Sequence, residues 1–348
     1  MCKKNDSKIK VSCVGMSAKC VTGSAYLVEC PTGEKILLDC GMYQDSSKYE
    51  CYKINKRGYK IDASDLTAIV ISHSHLDHSC SLPLVYKDGA KCNTYMSYES
   101  VDIMKPMMLD CVKISERDAI GFDRKYKGSH EPLYDIEDVE NCLPYIRGVE
   151  TNRQIEISPN VSFELIPSGH IFGACQIVLY VKKPSGNIVK IAYSGDLGNI
   201  IFDQPFCKPF EKVVKANMYI GECTYNDKNR SIKKGQREKD IEVMKNVIEQ
   251  TCIEQHGQVL IPSFSLHRVE VMLHTLYNLY KDDETFNIPI VVDSPLAVNL
   301  LDCYMNNLDK EDAELLSKIL SWKNVKIIRT VEESQLCVAD TKPKIILS

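Results

Sequence analysis

The sequence predicts an α/β protein in two parts, a two-sheet sandwich followed by a parallel sheet. Three observations predict it. The first 200 residues read as short strands punctuated by glycine and proline. Within them, Leu66–Ser72 is a nearly continuous apolar run, the pattern of a strand buried on both faces. After about residue 208 the rhythm changes to alternating strands and helices, the pattern of a parallel, doubly wound sheet.

The elements follow in order. Lys10–Met16, Ala25–Glu29 and Lys35–Asp39 are strand-like, and helical patterns cover Tyr98–Ala119 and Glu137–Ile146. Val161–Ile166 alternates apolar and polar residues. Gln176–Val181 and Ile188–Tyr193 flank Lys183-Pro184-Ser185-Gly186-Asn187, a hairpin signal. Further on, Ile241, Met244, Ile248 and Cys252 make one apolar helix face, and Gly257 sits where a helix C-cap belongs. Strand Gln258–Pro262, helix Leu266–Tyr280, strand Pro289–Asp293, helices Leu296–Met305 and Lys310–Trp322, and strands Val325–Arg329 and Lys344–Leu347 complete the alternation.

Composition narrows the function. With 348 residues, 44% hydrophobic and 26% charged, the chain can bury a full core, which excludes disordered, collagenous and coiled-coil classes. The net charge of −4 supplies no bulk attraction to nucleic acid, so any such binding requires a local groove. The sixteen cysteines form no C-x-x-C pair, which speaks against a zinc ribbon or thioredoxin-type motif. Without a signal-peptide pattern or an apolar run of membrane-spanning length, they read as buried free thiols of a reducing cytoplasm.

Three of the eight histidines fall in His73-Ser74-His75-Leu76-Asp77-His78, directly after the buried strand. On extended backbone His73 and His75 point the same way, and Asp77 and His78 swing back if a turn or helix begins there. Imidazoles with a carboxylate suit a borderline-soft divalent ion such as zinc. His170, between Gly169 and Gly173, and Asp196, in Ser194-Gly195-Asp196-Leu197-Gly198, are further ligand candidates at strand ends. Asp39 is placed to orient a ligand or water. His130, His256, His267 and His274 read as solvated or structural.

The set Asp39, His73-x-His75-x-Asp77-His78, His170 and Asp196 resembles motifs one to four of the metallo-β-lactamase superfamily. Glu222 in Gly221-Glu222-Cys223-Thr224-Tyr225 resembles the acidic motif A of its β-CASP branch of RNA-processing nucleases. Ile261-Pro262-Ser263-Phe264-Ser265-Leu266-His267-Arg268 and Asp293-Ser294-Pro295-Leu296-Ala297 are similar to other signatures of that branch. The resemblance implies a metallo-β-lactamase αββα sandwich (residues 1–208) with an inserted β-CASP domain on a parallel sheet (residues 209–348). It also implies that the C-terminal return segment carrying motifs B and C is absent, so that the chain reads as a fragment.

The implied activity is hydrolysis of RNA phosphodiester bonds by water activated between two zinc ions. His73, His75 and His170 would hold one ion, Asp77 and His78 the second, and Asp196 would bridge them; the second site would lack its motif C ligand. Asp39, Asp77 and Glu222 are the implied catalytic carboxylates. Ser263, Phe264 and Arg268 are the implied contacts to single-stranded RNA. A second copy of the chain, or a chain supplying the absent segment, is the implied partner. Two other readings stand beside this one, a non-catalytic RNA-binding paralogue and a small-ester hydrolase.

Overall fold

The computed structural model describes residues 8–15, 21–198, 204–225 and 235–348. Its first sheet has six strands in chain order: β1 (Lys10–Cys13), β2 (Tyr26–Glu29), β3 (Lys35–Leu38), β4 (Ala68–Val70), β5 (Asn93–Ser97) and β6 (Ile146–Val149). β1, β2 and β3 pair antiparallel, and β3 to β6 run parallel. The parallel pairs need crossovers. These are α1 (Lys48–Lys56), then α2 (Leu76–Ser79) with α3 (Leu82–Lys87), then α4 (Tyr98–Lys125) with α5 (Ile136–Cys142).

The second sheet is a meander of β7 (Ile155–Ser158), β8 (Val161–Pro167), β9 (Cys175–Lys182) and β10 (Ile188–Tyr193), with β11 (Met218–Ile220) added parallel to β10. The two sheets share one core. Ile36, Leu38 and Val70 of the first sheet and Phe163, Leu165, Ile177 and Leu179 of the second are all fully buried in it. Strand alternation turns Leu37 and Ile69 to the opposite face. They are buried on the side where α4 packs on β5 and β6, and α5 on α3. The segment 204–217 is tied to the far face of the second sheet, through Gln176 to the Glu211 carbonyl (2.7 Å) and Lys190 to the Val214 carbonyl (3.0 Å).

The chain divides into units 1–224 and 225–348. Residues just past the expected boundary at 208 remain with the first unit because β11 pairs with β10. The second unit is built on a parallel sheet in the order β12 (Gln258–Ile261), β15 (Lys344–Leu347), β13 (Ile290–Val292), β14 (Val325–Ile327). Around it lie α6 (Gln236–Ile248), α7 (Arg268–Tyr280), α8 (Pro295–Asn307), α9 (Lys310–Leu320) and α10 (Val331–Ala339). Ser294, Asp309 and Thr330 cap α8, α9 and α10 by accepting first-turn amides.

Several expected elements differ. The apolar run 66–72 forms a strand only at 68–70, because Leu66 closes a short 3-10 turn and the Ser72 amide leaves the ladder for Asp39. The helical pattern expected over 137–146 ends at Cys142, and Pro144 lies in a 3-10 turn before β6 begins at Ile146. Gly257 is not a left-handed C-cap. The helix continues through a π turn, Glu249–Glu254, His256 takes the left-handed conformation (φ 54°), and the Gly257 amide returns to the Thr251 carbonyl (2.7 Å). α1, α3, α10, β5, β6, β7 and β11 are elements the apolar pattern did not reveal. Met16, the end of the first expected strand, lies outside the described residues.

Two tight spots generate predictions. A Cβ on Gly41 would fall on the Asp77 carbonyl, where the segment leaving β3 passes against α2. Gly41→Ala should therefore lower stability by about 1–3 kcal/mol, read as a lower denaturation midpoint. An unchanged midpoint would show that this approach is relaxed in solution. In α7, Glu270 is fully buried and neither carboxyl oxygen closes a hydrogen bond. Burial pushes its pKa up to about 8, and the nearby amides of Glu270 and His267 offset this only in part. Folded Glu270 keeps a proton that the unfolded chain releases, so its stabilising contribution is full below the ordinary glutamate range and is lost as pH rises through about 8. Glu270→Gln should match the parent in acid and exceed it by on the order of a few kcal/mol near pH 9. Parallel stability profiles across that window would refute this.

Candidate metal centre

The centre lies in the first unit, at the carboxyl ends of β3, β4, β8 and β10. Its foundation is Asp39, the residue after β3, held fully buried at a left-handed φ of 57°. A non-glycine residue there carries strain that surrounding contacts must offset. Four donors do so. The Ser72 amide donates to Oδ1 (2.6 Å), and Oδ2 accepts the Ser72 hydroxyl (2.7 Å), the Tyr193 hydroxyl (2.7 Å) and His78 Nδ1 (2.7 Å). That last bond assigns the Nδ1 proton and leaves His78 Nε2 to face outward.

His73 lies three residues beyond β4, and His75 is the N-cap residue of α2, so Asp77 and His78 fall on the first helical turn. His170 comes from the β8–β9 loop and Asp196 from the turn after β10. His73, His75, His170 and Asp196 each bring one ligand atom into a group lying within 4.8 Å of one another. Within it His73 Nε2 is 3.1 Å and His170 Nε2 3.2 Å from His75 Nδ1, and His170 Nε2 is 3.5 Å from Asp196 Oδ2. Beside this group, His78 Nε2 lies 3.2 Å from Asp196 Oδ1 and 3.9 Å from Asp77 Oδ2. Asp196 therefore offers one oxygen to each side.

These residues fit divalent ions. His78 Nε2 is buried, closes no hydrogen bond and is aimed at two carboxylates. Three imidazole nitrogens and a carboxylate in one group match a borderline-soft cation. Protonation also follows this logic. Burial and the neighbouring imidazoles push His73 well below the ordinary histidine range, so it is a neutral donor. Burial raises the Asp77 pKa, with His78 opposing it. Burial also opposes charge on His78, but Asp196 and Asp39 outweigh it and raise its pKa. Asp196 shows the converse, brought down to about 2 by His78 against its own desolvation.

Backbone contacts hold the ligand loops together. The Cys40 amide donates to the His78 carbonyl (2.8 Å) and the Gly198 amide to the Ser168 carbonyl (2.9 Å). Gly198 passes so close to the Gly169 carbonyl that a Cβ would overlap it. Glu222 is not in the ligand group. Its amide donates to Ser194 Oγ (2.9 Å) and its carboxylate accepts the Leu197 amide (2.7 Å), which clamps the turn carrying Asp196. Sequence reasoning passed over Ser72 and Tyr193, although a tyrosine ending a mostly aliphatic strand is a hydroxyl seeking a buried partner.

The remaining candidates lie in the second unit. Ser263 Oγ donates to the Ile261 carbonyl (3.2 Å), Phe264 is 81% exposed, and Arg268 is the exposed first residue of α7. His267, just before that helix, sits at φ 71° with its Nδ1 3.1 Å from the Tyr304 hydroxyl and its ring stacked on that tyrosine. His130 is held by Asp123 (2.8 Å) and the Tyr49 hydroxyl (3.1 Å).

Residues 18–115 match the Metallo-beta-lactamase superfamily, and residues 269–348 match the Beta-Casp domain. The chain is 27% identical over 95% of its length to Ribonuclease TTHA0252 of Thermus thermophilus, of which it covers 70%. It is 25% identical over 86% of its length to an RNase J-like protein of Methanocaldococcus jannaschii, covering 59% of it. It is 24% identical over 83% of its length to Cleavage and polyadenylation specificity factor subunit 3-II of Arabidopsis thaliana, covering 44% of that protein. The chain thus carries a metallo-β-lactamase superfamily domain followed by a Beta-Casp domain, the composition of the β-CASP branch with which its relatives are consistent.

Proposed function

We propose that this protein is a zinc-dependent β-CASP ribonuclease that hydrolyses phosphodiester bonds of single-stranded RNA. The observation carrying the proposal is the four-residue ligand group beside a buried His78 whose Nε2 faces Asp77 and Asp196. His73, His75 and His170 would hold one ion and Asp77 and His78 the second, with Asp196 offering an oxygen to each side. Such a pair supplies Lewis acidity toward phosphoryl oxygens and an acidified water. The chain's own residues do the rest. Asp39 fixes the tautomer and direction of His78. Glu222 holds the turn that presents Asp196. In the second unit, the exposed Phe264 ring offers a face for base stacking, and the exposed Arg268 guanidinium, with Ser263, offers donors to phosphate.

The relatives named as ribonucleases and cleavage factors support the substrate class. No described helix is long and apolar enough to cross a membrane. Every described cysteine is a free thiol, in keeping with a reducing, cytoplasmic setting.

Elemental analysis should find about two zinc ions per chain, a number that follows from two-ion phosphoryl chemistry. Asp77→Ala and His78→Ala should then cut single-stranded RNA slower by on the order of 10³-fold, and a chelator should abolish cleavage by the parent. Equal cleavage by parent and variants would defeat the reading, and RNA binding untouched by zinc removal with no cleavage would make the protein a binding paralogue. Arg268→Ala tests the second unit. Loss of one phosphate contact should weaken RNA binding and reduce the slope of log affinity against log salt by about 0.7. An unchanged slope would remove Arg268 from the RNA path.

A further inference from the structure

The two halves of the centre are supported differently. The group of His73, His75, His170 and Asp196 converges through three separate backbone segments. The half around His78 depends on a single carboxylate, Asp39, whose Oδ2 already accepts from Ser72 and His78. Tyr193 contributes the third bond to that oxygen. It ends β10, is buried to 4% exposure, and packs its ring on Tyr26 with centroids 5.3 Å apart. Its hydroxyl lies 2.7 Å from Asp39 Oδ2 and 3.4 Å from His78 Nδ1.

We infer that Tyr193 is a positioning residue for the second ion of the proposed centre, acting through Asp39 on the ring of His78; the inference rests on the two-ion reading above. The geometry gives the hydroxyl two tasks. It occupies the oxygen of Asp39 that also receives His78 Nδ1, so the carboxylate stays in one orientation and the Nδ1 proton stays directed at it. It also ties the end of β10 to the end of β3. Asp196 follows Tyr193 by three residues and His78 is held by Asp39, so this one bond helps set the 3.2 Å separation between His78 Nε2 and Asp196 Oδ1. Tyr193 touches Asp39 and His78 directly, whereas Asp39 reaches His73 through the Ser72 hydroxyl, which lies 3.0 Å from His73 Nδ1, so the effect of Tyr193 falls first on the His78 side of the centre.

Tyr193→Phe keeps the buried ring and deletes only the hydroxyl. Tyr26→Phe, altered on the neighbouring ring, is the control. In chelator-competition titrations with zinc, Tyr193→Phe should weaken the second ion by about 10–100-fold, the usual effect of losing a group that orients a ligand, and weaken the first by clearly less. The metal-free variant gives an independent reading. Nitrogen-15 spectra of the histidine rings should show His78 as a single Nδ1–H tautomer in the parent and in Tyr26→Phe, and as a mixture in Tyr193→Phe. Equal weakening of both ions, or an unchanged His78 tautomer and second-ion affinity, would reduce Tyr193 to a packing residue and overturn the inference alone. A parent that binds fewer than two ions would overturn the two-ion reading together with it.

Discussion

Everything at the centre leans on one buried carboxylate. Asp39 sits in a backbone conformation that glycine or asparagine would adopt more readily, and it is wholly removed from water. An uncompensated buried carboxylate would be very costly. Here the cost is offset by donors from three separate segments, the end of β4, the first turn of α2 and the end of β10. The strain is therefore local and its compensation is distributed. Moving any of these segments exposes Asp39 to a lost bond in a low-dielectric site, where each bond matters most.

Sheet topology explains why these segments meet. β3 and β4 are parallel neighbours, so their carboxyl ends and the loops after them lie at one edge of the first sheet. β10 faces them across the shared core through Ile191 and Tyr193. A residue on the core face of the last turn of β10 is thus brought to the exit of β3 without any long side chain. Gly41 and Gly198 permit the closest backbone approaches among these loops. The site is consequently built on strand ends rather than on long excursions, which suits ligands that must be held to within fractions of an ångström.

What the sequence revealed follows from what kind of signal each feature leaves. Metal ligation demands histidines and carboxylates at short spacing, so His73 to His78 stood out, and His170 and Asp196 followed by chemistry. Strand–helix alternation in the second unit is a long-range rhythm and was equally readable. By contrast, α10 buries nothing fully, and α1 is nine residues long and fully buries only Asn55, so neither shows a long aliphatic stripe. β11 is three residues long. Ser72 and Tyr193 are common residue types whose meaning depends on a partner 33 or 154 positions away. His267 reads from the sequence as solvated or structural; it is buried against Tyr304, and its positive φ leaves no trace in composition. Glu222 illustrates the remaining gap. A motif identified the residue, and only the geometry assigned its carboxylate to the Leu197 amide.

The charge arrangement gives the centre its chemical direction. Three carboxylates, Asp39, Asp77 and Asp196, converge on His78, the imidazole whose pKa they hold above its ordinary range. His73 beside it is pushed the other way and contributes a neutral lone pair. One imidazolium cannot balance three carboxylates. Asp77 has its pKa raised by burial, with the neighbouring carboxylates adding to it, whereas Asp196, nearer than Asp77 to His78 Nε2, stays ionised. A divalent cation satisfies both kinds of group at once, neutral nitrogens as donors and surplus carboxylates as charge. It would also displace the proton from His78 Nε2 while leaving Nδ1–H on Asp39. The bond to Asp39 is therefore compatible with both the protonated and the metal-binding forms of His78, so the ring need not turn when an ion enters. That makes the Asp39 network a preformed support for the ion rather than a consequence of its binding.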